Sequence, residues 1–556
     1  MPVGRVIRGA ALAVAIALCA SALVVGCASD QVLEYSTAND GSTMLQPGFT
    51  LTKRQAVEDC RFFIDAMRDR YPYLELKKRT EGYDWLAHEA EFLKLVEEAK
   101  SHEEFAKAMS RIALSLNNGH TGIISGAMLQ VYEESDGWAS VAKKATRERA
   151  DYWHSLAGKS SPPAVFPPFI ASYSRGEYVV TNVAPDDAIQ SQIRVGSRVV
   201  KVSGIPVHEY VKSHRGSRYL PYDPEFGRIY ESPRLYFDRH SSTVSVEIID
   251  PDGILRTVDI PWAKEVWQAP YPNCPPAYAA DPGTDTALGE PLCTVIDWNG
   301  SKVGYVYLPS MDGQVHNDAA ILRDFFASIR DLPAVILDIR SNSGGNDAYW
   351  RTNIISQLGL RAKHDARLGW AERRSARAAD GSVGSLDKTW FADLIGPAAR
   401  SVPPEIWTPE FAQPVTFPAL SGPGIGELAI GYEGSVFVLT SRQVYSSAET
   451  FAATCKASGI ATLVGTYTGG DGIGVMPGIV VLPNSGMVIR YPVTMGLNPD
   501  WTANEEFHTK PDVLVEQSLE DLLRWLEATG DEGFPGAPRP ELDTVLRECL
   551  NLAATE

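Results

Sequence analysis

A chain of 556 residues, 44% hydrophobic and 22% charged, has the composition of an ordinary soluble globular protein and is too long for one core, so two or three domains are expected. A formal charge of -18, with no cluster of Lys and Arg in the body of the chain, argues against a nucleic-acid-binding surface. No Cys-x-x-Cys pair or His-Glu-x-x-His sequence occurs, so no metal and no cofactor is expected.

At the start, Arg5 and Arg8 precede an apolar run from Ala10 to Val25, too short for a comfortable membrane span and flanked as an export signal is. The closing Val24-Val25-Gly26-Cys27 resembles the bacterial lipobox. That resemblance implies a signal peptide over 1–26 and lipidation of Cys27, with a plain signal peptide or an uncleaved anchor as the alternatives. Because Ala28 rather than Asp follows, the expected location is the cell envelope, at the periplasm-facing outer membrane if the cell is Gram-negative. Residues 27–50, polar with Gly and Pro, read as a tether.

Residues 51–160 read as a helical domain. An amphipathic helix from Thr52 to about Arg70 is followed by one over about Asp84 to Lys100, and Ser101 to Glu104 forms a capping box for a third. The third ends at Asn117-Asn118-Gly119, and His120 follows. An imidazole there is either a proton acceptor or a cap on its own helix. Residues 166–262 alternate short strands with turns, and the order strand, short helix, strand, Gly-x-Pro-Val resembles a PDZ module, which accepts a peptide as an added strand.

The segment 263–298, rich in Pro, Asp and Gly, reads as a connector in which Cys274 and Cys293 are candidates for a disulfide. Five cysteines follow Cys27, so at least one is expected to be free; Cys455 reads as core. The catalytic candidate spans 299–530, with an insertion or lid over 360–430 and a tail over 531–556. In it, the buried strand Ala334 to Asp338 runs into Ser343-Gly344-Gly345-Asn346 and then a helix. Backbone N–H groups freed at such a turn suit either a phosphate or an oxyanion, and no Gly-x-x-x-x-Gly-Lys sequence supports the phosphate.

The apolar run Val436 to Leu439 changes to helical spacing at Ser446-Ser447, with Ala448, Phe451, Ala452 and Cys455 on one face. A serine on a strand-to-helix turn is placed as an acyl-transfer nucleophile is; equally, Ser446 with Glu449 three residues on is a capping box.

Taken together, Asp338-Ile-Arg-Ser-Asn-Ser-Gly-Gly345, Ser446-Ser-Ala-Glu449, Leu463-Val-Gly465 and His508-Thr-Lys-Pro-Asp512 resemble the tail-specific (C-terminal processing) protease family of serine peptidases. The resemblance runs over about 50–530. It implies a multidomain α/β protein with a crotonase-like ββα core, an N-terminal helical domain and a small, mostly β, PDZ-like domain. It also implies polypeptide substrates, with Ser446 as nucleophile and Ser447 as the residual candidate. Gly344 or Gly345 with Ser447 would supply the oxyanion hole. Family members with a Ser-Lys dyad carry the lysine in the Gly-rich turn, where this chain has Gly470-Asp471-Gly472. The tricorn-core-like branch uses a histidine and a glutamate instead, which implies His120 as base, oriented by Glu505 with Glu506 as rival. An exported serine endopeptidase is therefore expected. A silent PDZ-bearing scaffold lipoprotein, favoured by Asp471, and an ester or amide hydrolase on the same fold are the alternatives.

Overall fold

The computed structural model describes residues 32–34, 48–135, 137–158, 167–239, 241–262, 291–312, 315–375, 389–420, 429–529 and 538–555. Cys27 and Cys274, and with them the lipidation site and the Cys274–Cys293 pairing, lie outside these residues.

A six-stranded sheet positions the site. Its strands run in the order Leu292–Trp298, Ser301–Tyr307, Ala334–Asp338, Ser435–Thr440, Thr462–Gly465, Val513–Leu514. The first pair is antiparallel and all others are parallel. The middle strands are continuous apolar runs, as strands covered on both faces must be. One face packs under the helices Val315–Ser328 and Ser447–Ser458, through Leu322, Phe326, Phe451 and Cys455. Three neighbouring strands end together, with Asp338 beside Leu439 and Thr440 beside Gly465. The loops to Gly345, Ser446 and Asp471 therefore leave the sheet at one carboxyl edge, where open α/β sheets place their sites.

The opposite face is covered by a helix that the sequence reading left inside a featureless tail. Thr544–Ala553 is capped by Asp543, whose side chain accepts the Leu546 N–H. It buries Val545, Leu546, Cys549 and Leu550 against Ile336, Phe437 and Leu439. Asp543 also grips Arg340, at 2.7 Å and 2.9 Å, and Arg340 in turn holds Asp338 at 2.6 Å. This helix is thus part of the core beneath the turn that carries Gly344.

Two more boundaries differ from expectation. The connector ends earlier than 298, because Leu292–Trp298 forms a hairpin with Ser301–Tyr307 around Asn299-Gly300, both at positive φ as a tight hairpin turn requires. In the insertion 360–430, Arg367–Glu372 pairs with Val415–Pro418 and with Thr494–Leu497, so this part is built into the fold rather than laid over it as a lid.

Of the N-terminal helices, the first forms near its expected bounds; the second divides into a 3-10 turn, Trp85–His88, and the helix Glu89–Glu98, and at the third Glu104 accepts the Lys100 N–H and so does not close the expected box. Thr52 and Gln55 make a reciprocal capping box on Lys53–Arg70, and Ser101 caps His102–Leu114. An additional short helix, Leu74–Glu81, is closed by Gly82 in the left-handed conformation. These helices share one core with the hairpin Gly478–Val481 and Val488–Tyr491 and with Phe391, Ile406 and Phe411. That joint packing brings the segment after Leu114 onto the catalytic layer. Residues 167–262 form their own sheet, Phe169–Ser174, Glu177–Val183, Arg198–Val202, Thr243–Ile249 and Leu255–Pro261 in spatial order, with the helix Val207–Lys212 packed on it through Val207 and Val211.

Candidate active site

Ser446 stands immediately before the helix Ser447–Ser458 with φ 56° and ψ -127°, and its side chain makes no cap to the helix. The capping-box reading is therefore set aside. A non-glycine residue held at positive φ costs on the order of 1–3 kcal/mol and persists only where the surroundings impose it. Here the strand Ser435–Thr440 and the following helix leave the serine on a sharp elbow with its hydroxyl projecting.

That hydroxyl meets His120: Nε2 lies 3.0 Å from Ser446 Oγ, and Nδ1 lies 2.8 Å from Asp471 Oδ2. Burial by itself raises the Asp471 carboxyl. His120, the Asn118 amide and the Tyr73 hydroxyl outweigh it, so the group is held below its ordinary range and ionised. An ionised carboxylate can only accept, so Nδ1 carries the proton and Nε2 is left to accept from the serine. Asp471 also accepts from Tyr73 at 2.7 Å, Asn118 at 2.7 Å and Tyr445 at 3.0 Å. Asn118 Oδ1 accepts the His120 N–H at 2.8 Å and pins the backbone that carries the ring. The imidazole faces the serine and does not cap its own helix.

The sequence reading put Glu505 in the place that Asp471 fills. Both ring nitrogens of His120 are taken, and Asn118 stands between, donating to Asp471 and, at 3.3 Å, to Glu505. Glu505 is engaged by Lys77 at 2.6 Å, and Lys77 by Glu81 at 3.0 Å. Burial first, and then the negative charge of Asp471, push the Glu505 carboxyl up to about 7 against the pull of Lys77. The rival Glu506 points away and pairs with Arg79 at 2.8 Å. Asp471 was legible as an acid inside a glycine-rich turn, but its partner lies 351 residues earlier and no local pattern joins them.

Ser447 is buried and its hydroxyl donates to Asp347 at 2.8 Å, so Ser446 alone faces the imidazole. Gly344 and Gly345 have φ of 113° and 141°. A Cβ on Gly344 would stand 2.7 Å from that of Ser446, and one on Gly345 would stand 2.1 Å from the Met311 carbonyl carbon. Only glycine lets the two turns touch. Of the two, Gly344 spends its N–H on Asn342 Oδ1 at 2.9 Å, which removes it as a free donor. Among the described residues no partner is found for the N–H groups of Gly345 and Ser447. Lys456, the cation on the serine's own helix, is tied to Asp512 at 2.9 Å.

These groups open on a cleft of about 750 Å³ lined by His120, Gly345, Ser446, Ser447 and Asp471 together with the apolar Met128, Val131, Val475 and Met476. A hydroxyl, an oriented imidazole, a buried carboxylate and two free N–H donors make an arrangement able to attack a carbonyl and hold the resulting oxyanion.

Residues 302–515 match the family model for peptidase family S41. Among solved structures, mature CPAF complexed with lactacystin is similar at 16% identity and a TM-score of 0.52, over 91% of this chain and 99% of that one. Mature CPAF is similar at 16% and 0.51, over 91% and 98%. At such identity the likeness is one of fold. The tricorn protease also matches, at 14% identity and 0.37, over 92% of this chain and 38% of that one. No curated protein matches the chain in sequence.

Proposed function

We propose, on the premise that this chain belongs to peptidase family S41 and is a serine-type hydrolase of the tail-specific protease kind, that it hydrolyses peptide bonds of polypeptides through an acyl-enzyme on Ser446. The observation that carries the proposal is the unbroken line from Ser446 Oγ through the His120 ring to Asp471. His120 takes the serine proton as the hydroxyl attacks the scissile carbonyl, and returns it to the leaving amine. Asp471 fixes the tautomer and balances the imidazolium that forms between these steps. The Gly345 and Ser447 N–H groups receive the oxyanion, and water then releases the acyl group with His120 again as base.

A serine-reactive phosphonate tests this. It should label the full chain at Ser446, and Ser446→Ala should lose both the label and peptide hydrolysis. Hydrolysis that survives in Ser446→Ala refutes the assignment.

Residues 167–262 are proposed to be a PDZ-like unit that receives the substrate polypeptide, and the sheet around Ser446 to be a crotonase-like core. Support for the first is the order of strands and short helices and, among the described residues of that segment, the absence of a nucleophile and base set. The unit also abuts the catalytic arm: Asn117 exchanges two hydrogen bonds with the Leu220 backbone, at 2.9 Å each, and Asn117 precedes the Asn118 that holds Asp471. Export and lipid anchoring through Cys27 are proposed on the lipobox resemblance. Labelled fatty acid should enter the wild-type chain and not Cys27→Ala; equal labelling of both refutes the anchor.

A further inference from the structure

The cleft holds one basic side chain, besides His120, that the reaction does not use. Arg490 sits on the strand Val488–Tyr491, opposite Gly122 in the antiparallel register and so two residues from the segment's His120. It is the one Lys or Arg among the residues lining the cleft. Around it the wall is apolar and open: Val131 is 50% exposed, Val475 48% and Met476 37%.

Arg490 is half-buried, and among the described residues no carboxylate lies within ion-pair distance of it. Its guanidinium bonds to the Tyr132 side chain, and the Tyr132 hydroxyl donates to the Pro477 carbonyl at 3.0 Å. The Arg490 Nε is buried with no partner. Of the three acids that line the cleft, Asp471 is engaged with His120 and Asp347 with Ser447 and the Trp350 indole, while Asp312 is exposed and forms no ion pair with Arg490 among the described residues. A guanidinium partly withdrawn from water without a counter-ion is left under-satisfied, and its planar fork matches a carboxylate.

We infer that Arg490 is a specificity-determining residue that receives a carboxylate of the substrate polypeptide, with an apolar substrate side chain lying on Val131, Val475 and Met476. The carboxylate comes from an Asp or Glu side chain or from the chain's own C-terminus. This inference rests on the peptidase reading above and adds the substrate class.

The test uses the full chain and quenched fluorescent peptides of one apolar sequence, made with Glu or Gln at each position around the scissile bond and with free or amidated C-termini. The wild-type chain should favour a carboxylate at one position by about tenfold in kcat/KM, the value of one charge-assisted hydrogen bond, expressed in KM more than in kcat. A preference set by Glu over Gln identifies a side chain; one set by the free over the amidated end identifies the C-terminus. In Arg490→Gln that ratio should collapse toward one, and Arg490→Lys, which keeps the charge and loses the fork, should restore part of it. If Arg490 only braced Tyr132, every peptide would lose rate alike and the ratio would stand. That result, or a wild-type chain that cleaves the set without preference, overturns the inference and leaves the peptidase reading intact. A wild-type chain that cleaves none of the set overturns both.

Discussion

Replacing Asp471 by Asn separates the two carboxylates that compete for the third catalytic place. The Asp471 Oδ2 position gathers His120, Asn118 and Tyr445, while Oδ1 receives only Tyr73. An asparagine can put its carbonyl toward the three donors and its amide toward the Tyr73 hydroxyl, which then donates to the Thr494 carbonyl at 3.1 Å. The fold and the His120 tautomer are kept; the charge is lost. With charge centres about 4 Å apart and an effective dielectric of about 20, the attraction between imidazolium and carboxylate is worth about 4 kcal/mol, or roughly a thousandfold in rate. Asp471→Asn should thus lower kcat about a thousandfold with KM little changed. Glu505→Gln should stay within about tenfold of wild type, because its side chain reaches Asn118 and Lys77 but not the ring. Steady-state hydrolysis of a quenched peptide, normalised to phosphonate-titrated sites, measures both. Asp471→Asn within tenfold of wild type, or Glu505→Gln falling as far as Asp471→Asn, would refute the assignment of the third residue.

Stability should report on Glu505 separately. Its carboxyl, near 4.5 in the unfolded chain, is raised to about 7 by burial in the folded one. The folded state therefore binds more protons between those values, and stability contributed by the neutral form is present below pH 4.5 and lost as pH rises to about 7. Relative to Glu505→Gln, which stays neutral, the wild-type chain should lose on the order of 3 kcal/mol between pH 4.5 and 8, read from paired denaturant titrations; parallel curves would contradict it. In the C-terminal helix, Leu546→Ala should cost about 2–5 kcal/mol, since Leu546 is 1% exposed beneath the sheet. An unchanged melting transition would place that helix outside the core.

The sequence showed the parts of the site that local chemistry controls. Ser446 was legible because a β-run gives way to helical spacing at it, and His120 because it follows a helix end. Both were read with a rival role as a cap, and only the geometry of Ser446 Oγ and His120 Nε2 decides between them. The third residue was misread because an acid in the Gly-rich turn looked like the loss of a lysine, whereas it supplies the carboxylate for a histidine brought from another layer. Gly344 was indistinguishable from Gly345 until Asn342 was seen to occupy its N–H. Two signals were present and missed: Leu74–Glu81, stopped by Gly82, carries Lys77; and Val545, Leu546, Cys549 and Leu550 after the capping Asp543 spell an amphipathic helix, obscured by the Pro- and Gly-bearing stretch before it.

His120 and Ser446 are 326 residues apart in the chain. At about 5–20 residues per second of synthesis, roughly 15 to 65 s pass between the making of the base and the making of the serine it serves. The turn with Asp471 emerges later still, and the helix that closes the far face of the sheet after that. During that interval the growing polypeptide carries an imidazole with nothing to deprotonate. A site wired in this order cannot assemble on a chain that has not yet been made past Asp471.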